Sequence, residues 1–133
     1  MGIQSYRDLK VWNRAMDLVE ECYRLTSKFP KTEIYGLSSQ IQRAAVSIPA
    51  NIAEGKGRQH LGDYIRHLCI ANGSLKELET HLLIALRLSY LNNSELHLAL
   101  SLTDEVGKML NSLIEKLKQR KEKLGSKKNS HHS

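Results

Sequence analysis

Aromatic residues make up only 5% of this 133-residue chain, which also has just two prolines and two cysteines. With leucine, isoleucine and alanine dominating the apolar set, that scarcity argues against a sheet and for packed helices. Cys22 and Cys69 fall in leucine-rich stretches and form no CxxC pair, so both are expected to be small buried thiols rather than a disulfide or metal site. No apolar run approaches the roughly 20 residues that cross a membrane, and the opening MGIQSYRDLK lacks the apolar core of a signal peptide. A soluble, cytoplasmic protein with no membrane partner is expected. The sequence also lacks GxSxG, a Walker loop, GxGxxG and HExxH, the arrangements that activate nucleophiles, cradle phosphates or hold zinc. Glu77, Glu79 and His81 lie close together, but neither glutamate stands three residues before the histidine as a di-iron bundle requires. Glu77 and His81 suit a hydrogen bond across one helical turn. No metal, no cofactor and no enzymatic activity are expected.

What the chain has is helical period. At this length it forms one domain, able to bury about 68% of its unfolded surface. The first helix is predicted from about Tyr6–Asp8 to Lys28, ahead of Pro30. Leu9, Trp12, Met16, Val19 and Tyr23 form one apolar line along it, and Val11, Ala15, Leu18, Cys22 and Leu25 form a second. That surface is wider than one bundle contact needs, which fits either a subunit interface or a helix sunk deeply in its own monomer. The second helix follows Gly36, with Ser38 or Ser39 as its cap, and is expected to kink at Pro49, where the bond to the Ala45 carbonyl is lost. It ends near Glu54–Arg58 among Gly55, Gly57 and Gly62. The third carries Leu61, Ile65, Leu68, Leu75, Leu78, Leu82 and Leu86, and Gly73 inside it predicts close approach of the second helix. The fourth, capped by Ser94, runs through Leu96, Ala99, Leu102, Val106, Met109, Leu113 and Leu117 and frays at 118–123. An all-α, up-down-up-down four-helix bundle over residues 1–124 is predicted, with a disordered basic tail at 125–133.

Two features set this bundle apart. Gln40, Arg43, Ser47, Asn51, Glu54 and Arg58 recur at three- and four-residue steps, so one side of the second helix is polar where a core helix needs nothing polar. Ser47, Asn51 and Glu54 are expected to meet Ser74 and Glu77 of the third helix in a satisfied structural network, while Arg43, Lys56 and Arg58 are candidates for phosphate contact. Charge is also unevenly placed. Residues 108–133 hold eight Lys/Arg against two Asp/Glu, whereas 1–107 hold twelve of each. Such an end either binds a polyanion by releasing its counterions or keeps a helix end soluble. The nucleic-acid candidates are Arg7, Lys10, Arg14, Arg43, Lys56, Arg58, Lys116, Arg120, Lys121 and Lys123.

KVW at 10–12, FPKTEIYGL at 29–37, Gln40 with RAA at 43–45, SIP at 47–49, NIAEG at 51–55 and GSLKELE at 73–79 closely resemble the four-helix-bundle family encoded in 23S ribosomal RNA intervening sequences. The resemblance spans residues 5–115. It implies a bacterial bundle assembling as a ring-shaped homopentamer, similar in fold to the accessory variability determinant proteins of diversity-generating retroelements, which bind nucleic acid and a reverse transcriptase. The expectation is a non-enzymatic homo-oligomer that binds RNA or DNA, RNA favoured, without strong sequence readout, with a nucleic-acid-processing protein as a further partner. The alternative is an oligomeric scaffold or protein-binding adaptor with no direct nucleic-acid role.

Overall fold

The computed structural model describes residues 5–131, with side chains described as far as Ser126. After a 3-10 turn at Tyr6–Asp8 come four helices: α1 (Lys10–Thr26), α2 (Leu37–Lys56), α3 (Leu61–Arg87) and α4 (Asn93–His131). A second 3-10 turn, Lys31–Glu33, lies in the α1–α2 connection, and no strand occurs among the described residues. Each helix packs against two others, in the cycle α1–α2–α3–α4–α1. Cross-contacts run in opposite directions along neighbouring helices: Arg14 meets Glu105 while Lys28 meets Glu95, and Ser47 meets Ser74 while Asn51 meets His67. Neighbours are therefore antiparallel, as short connections require.

The apolar lines predicted from sequence close on one core. Leu18, Leu25, Ile41, Ile48, Ile52, Leu68, Leu75, Leu82 and Leu110 are almost completely buried, and each such side chain contributes roughly 1.5–3 kcal/mol relative to exposure. Of the two lines on α1, that of Val11, Ala15, Leu18, Cys22 and Leu25 enters the core whole, joined by Leu9 from the other. Trp12, Met16 and Val19 are half-buried and Tyr23 is exposed. Burial pushes the Cys22 thiol up to about 12, so it stays protonated. Cys69 departs from expectation, being exposed on α3, because its position points away from the side that carries Leu68 and Ala71.

Several helix ends also differ from the expected ones. Neither Ser38 nor Ser39 caps α2; the Leu37 amide donates to Glu33 Oε1 at 3.3 Å, and the Tyr90 hydroxyl donates to Glu33 Oε2 at 3.0 Å. Asn92, rather than Ser94, opens α4: the Glu95 amide donates to Asn92 Oδ1 at 2.8 Å, and the Asn92 amide to Glu95 Oε1 at 3.1 Å. That reciprocal pair is a capping box. Within α2, Pro49 is buried and the helix continues across it.

Close approach of α2 and α3 occurs at a glycine other than the predicted one. Around Gly73 nothing lies within 4 Å of where a Cβ would stand, whereas a Cβ on Gly55 would sit 2.8 Å from His67 Cβ and 3.1 Å from Tyr64 Cδ1. Gly73 lies on the outward side of α3, and Gly55, read from sequence only as part of the helix break, is the residue that lets the two backbones meet. At its far end α4 continues through 125–131, where a tail was expected. Gly125, Ser126, Asn129 and Ser130 favour helix weakly, so the continuation propagates from the packed part of α4 rather than arising from local preference. Residues 132–133 and the side chains beyond Ser126 lie outside the described residues.

Candidate nucleic-acid interface

The polar stripe of α2 divides at this level of detail. Ser47 and Ser74 hydroxyls stand 2.8 Å apart, and Asn51 Nδ2 donates to Ser47 O at 2.8 Å and to Ser47 Oγ at 3.1 Å. Asn51 Oδ1 lies 3.2 Å from Nδ1 of His67, a residue with only 6% of its side chain exposed. Arg66 donates to His67 Nε2 at 3.5 Å, so the ring proton belongs on Nδ1 and points at Asn51. Ser74, Ser47, Asn51 and His67 thus form a chain of matched donors and acceptors inside the α2–α3 contact, where an unmatched polar atom would be costly.

Glu54 and Glu77, expected in that network, lie at its margin or outside it. Glu54 is half exposed; it accepts from Arg58 at 2.7 Å and its other oxygen is 3.9 Å from His67 Nδ1. Glu77 is more exposed still and faces His81, one turn along its own helix, at 3.4 Å. A carboxylate retains its hydration at these places, which burial in the neutral network would remove. His67 was missed. Its signal is its spacing, since His67, Ser74 and His81 fall at seven-residue intervals on the side of α3 that meets α2.

The basic candidates separate by whether a carboxylate already holds them. Arg14 is bound to Asp17 at 3.2 Å and to Glu105 at 3.1 Å; the hydrogen bond to Asp17, then the charge of Glu105, hold its pKa above the ordinary arginine value. Arg58 is bound to Glu54. Arg7 lies over the Tyr6 ring at 5.8 Å, and Lys56 over the Tyr64 ring at 5.9 Å. Lys10, Arg43, Lys116, Arg120, Lys121 and Lys123 have no ion-pair partner among the described residues.

Most of these cations share one end of the bundle. Antiparallel packing brings the start of α1, the α2–α3 turn and the last third of α4 together. Lys10, Lys108 and Lys116 rim a groove floored by Leu9, Met109 and Leu113, and a Cβ on Gly62 would sit 3.3 Å from Lys121 Nζ. Residues 5–14, 51–68 and 105–126, which make up this end, hold twelve Lys/Arg against six Asp/Glu; 15–50 and 69–104, at the other end, hold six against eight. Arg43 stands apart, roughly 20 Å along α2 from Lys56. Lys108, not among the candidates, joins the groove rim but pairs with Asp104 at 3.1 Å. No group of three or more His, Cys, Asp or Glu among the described residues is placed to hold a metal ion, and no described helix is long and apolar enough to cross a membrane.

A family model described as 23S rRNA-intervening sequence protein matches residues 7–112. Among solved structures, the chain is similar to a protein of unknown function from the S23 ribosomal protein family of Bacteroides thetaiotaomicron. That likeness has 27% sequence identity and a TM-score of 0.73, and covers 78% of this chain and 97% of that one. Comparison with curated proteins gives no match.

Proposed function

The chain belongs to the family of 23S rRNA-intervening sequence proteins, and from that premise we propose that it is a non-enzymatic, homo-oligomeric protein that binds nucleic acid, RNA in preference to DNA, by phosphate contacts at its basic end. The carrying observation is that Lys10, Lys116, Arg120, Lys121 and Lys123 gather at one end with no carboxylate partner among the described residues. Cations already neutralised inside the chain, such as Arg14 and Arg58, release no polyanion counterions unless they first leave their carboxylates. Contacts of this kind hold a nucleic acid without reading its bases.

Assembly into a ring of five copies belongs to the same proposal. It is supported by the half-buried line of Trp12, Met16 and Val19, with Tyr23 47% exposed beside it, an apolar surface that the chain's own core leaves uncovered. Pro49 bends α2 in this reading, since it removes one backbone bond from the helix. The protein acts in the cytoplasm, with a nucleic-acid-processing protein as a further partner. A mobility-shift titration on structured RNA and duplex DNA at several salt concentrations tests the binding claim: a salt-sensitive shift, stronger with RNA, is expected, and no shift even at low salt would sink it. Light scattering tests assembly separately, with a 15.1 kDa monomer as the refuting result.

A second reading, an oligomeric scaffold for another protein, is favoured by Ile70, Leu83, Ile84 and Leu88, all 40–51% exposed on or just after α3. Co-purification with and without nuclease separates the two, because a partner held by protein contacts alone survives the nuclease.

A further inference from the structure

The apolar seam of α4 ends before the helix does. Leu110 and Leu117 are buried, and Leu124, seven residues further on the same side, is 53% exposed. From Lys118 to Ser126 every side chain is exposed, and Lys121 Nζ would stand 3.3 Å from a Cβ on Gly62, near the start of α3. Over 118–126 the helix, which continues to His131, buries no side chain against the bundle.

The charges on this extension are arranged, not scattered. At 100° per residue, Lys116, Arg120 and Lys123 fall on one flank, and Lys118 and Lys121 on the flank nearly opposite. Between the flanks, one side carries Leu117 and Leu124, and the other carries Glu115, Gln119 and Glu122. A helix lying on a flat anionic surface needs one basic face. Two opposed flanks fit a groove with a row of phosphates on each wall, with the glutamate side facing out.

The same arrangement weakens the extension when it is alone. Lys116 and Arg120, Lys118 and Lys121, and Arg120 and Lys123 are like-charge neighbours at three or four residues, and these repel along a helix, outnumbering the opposite-charge pairs of Lys118 with Glu115 and with Glu122. No packed apolar face offsets that repulsion, so this segment is the easiest part of α4 to open. Phosphates on both flanks would remove the repulsion and supply the neighbour that the bundle does not. The major groove of a regular A-form RNA helix is too deep and narrow to admit an α-helix about 10–12 Å across, so the RNA must be opened locally.

We infer that residues 118–131 form a groove-binding helix that becomes fully ordered on a bulge-widened RNA helix, each basic flank meeting one phosphate row, an inference that rests on reading the protein as RNA-binding. The test uses the full chain, an RNA hairpin with a small bulge, the same hairpin without it, and a B-form DNA duplex of matching length. Fluorescence anisotropy should give affinity about tenfold tighter for the bulged hairpin, and far-ultraviolet circular dichroism should show added helix on binding. Leu124→Pro, which breaks the exposed extension and leaves the core alone, should abolish both effects with the melting temperature unchanged, while weaker binding through the bundle end persists. Charge reversal of either flank, Lys118→Glu with Lys121→Glu or Arg120→Glu with Lys123→Glu, should each remove the preference for the bulge. Equal affinity for the two hairpins with Leu124→Pro behaving as the wild type overturns the groove helix but leaves RNA binding standing. Tighter binding to the DNA duplex overturns the choice of RNA, and no binding to any probe overturns both readings.

Discussion

The contact between α2 and α3 and the basic end of the bundle both contain polar residues, but they treat them in opposite ways. Between the helices, Ser47, Asn51, His67 and Ser74 are matched atom to atom, His67 buried and the other three half-buried. At the end, Lys10, Lys116, Arg120 and Lys123 are exposed and matched to no carboxylate among the described residues. A polar group satisfied within the chain specifies how helices pack, whereas a cation left unsatisfied keeps its charge available to something outside. Changes in one region should therefore alter stability and leave binding alone, and changes in the other should do the reverse.

The largest expected effect comes from the end. Lys10→Glu, Lys116→Glu and Lys121→Glu together should weaken RNA binding about 100-fold or more at moderate salt, with a thermal melt close to that of the wild type; a similar loss of stability would show these lysines to be structural. Next is the contact. Gly55→Val puts a side chain where His67 and Tyr64 already stand and should cost roughly 2–3 kcal/mol in chemical denaturation, with RNA affinity per folded molecule unchanged. Asn51→Ala leaves His67 Nδ1 without its partner and should cost about 1–2 kcal/mol by the same measurement. The smallest effect sharpens the boundary of the contact. Gly73→Ala should stabilise the chain by about 0.5–1 kcal/mol, since nothing in the chain approaches that position; a loss of stability would mean that another backbone packs there.

Helical period made much of this legible in advance. One of the two predicted lines on α1 is buried whole, as are Leu68, Leu75, Leu78 and Leu82 of α3 and Leu96, Ala99, Leu102, Val106 and Leu117 of α4, whereas Leu61, Ile65, Leu86, Met109 and Leu113 are half-buried. Ser47, Asn51 and Ser74 meet as their spacing on facing helices indicated. Period alone does not say which of two similar residues lies nearer a neighbour, so close approach was assigned to Gly73 instead of Gly55, and Glu77 was placed inside the network that His67 occupies. Nor can it find a cap that depends on a distant group: Glu33 reaches the start of α2 while accepting from Tyr90, 57 residues away. The basic end was only half visible. Its α4 part shows as a run of charge, but its gathering with Lys10 and Lys56 follows from antiparallel packing, and the pairing of Arg14 and Arg58 with carboxylates follows from side-chain placement.

Counterion release by the basic end is tested most directly by the salt dependence of RNA affinity, measured for the wild type and for the Lys10→Glu, Lys116→Glu, Lys121→Glu variant. The account predicts that affinity falls linearly with salt on logarithmic axes, with a slope of about −3 to −5 for the wild type and one shallower by about 2 for the variant. Equal slopes for the two proteins, or binding that ignores salt, would contradict it.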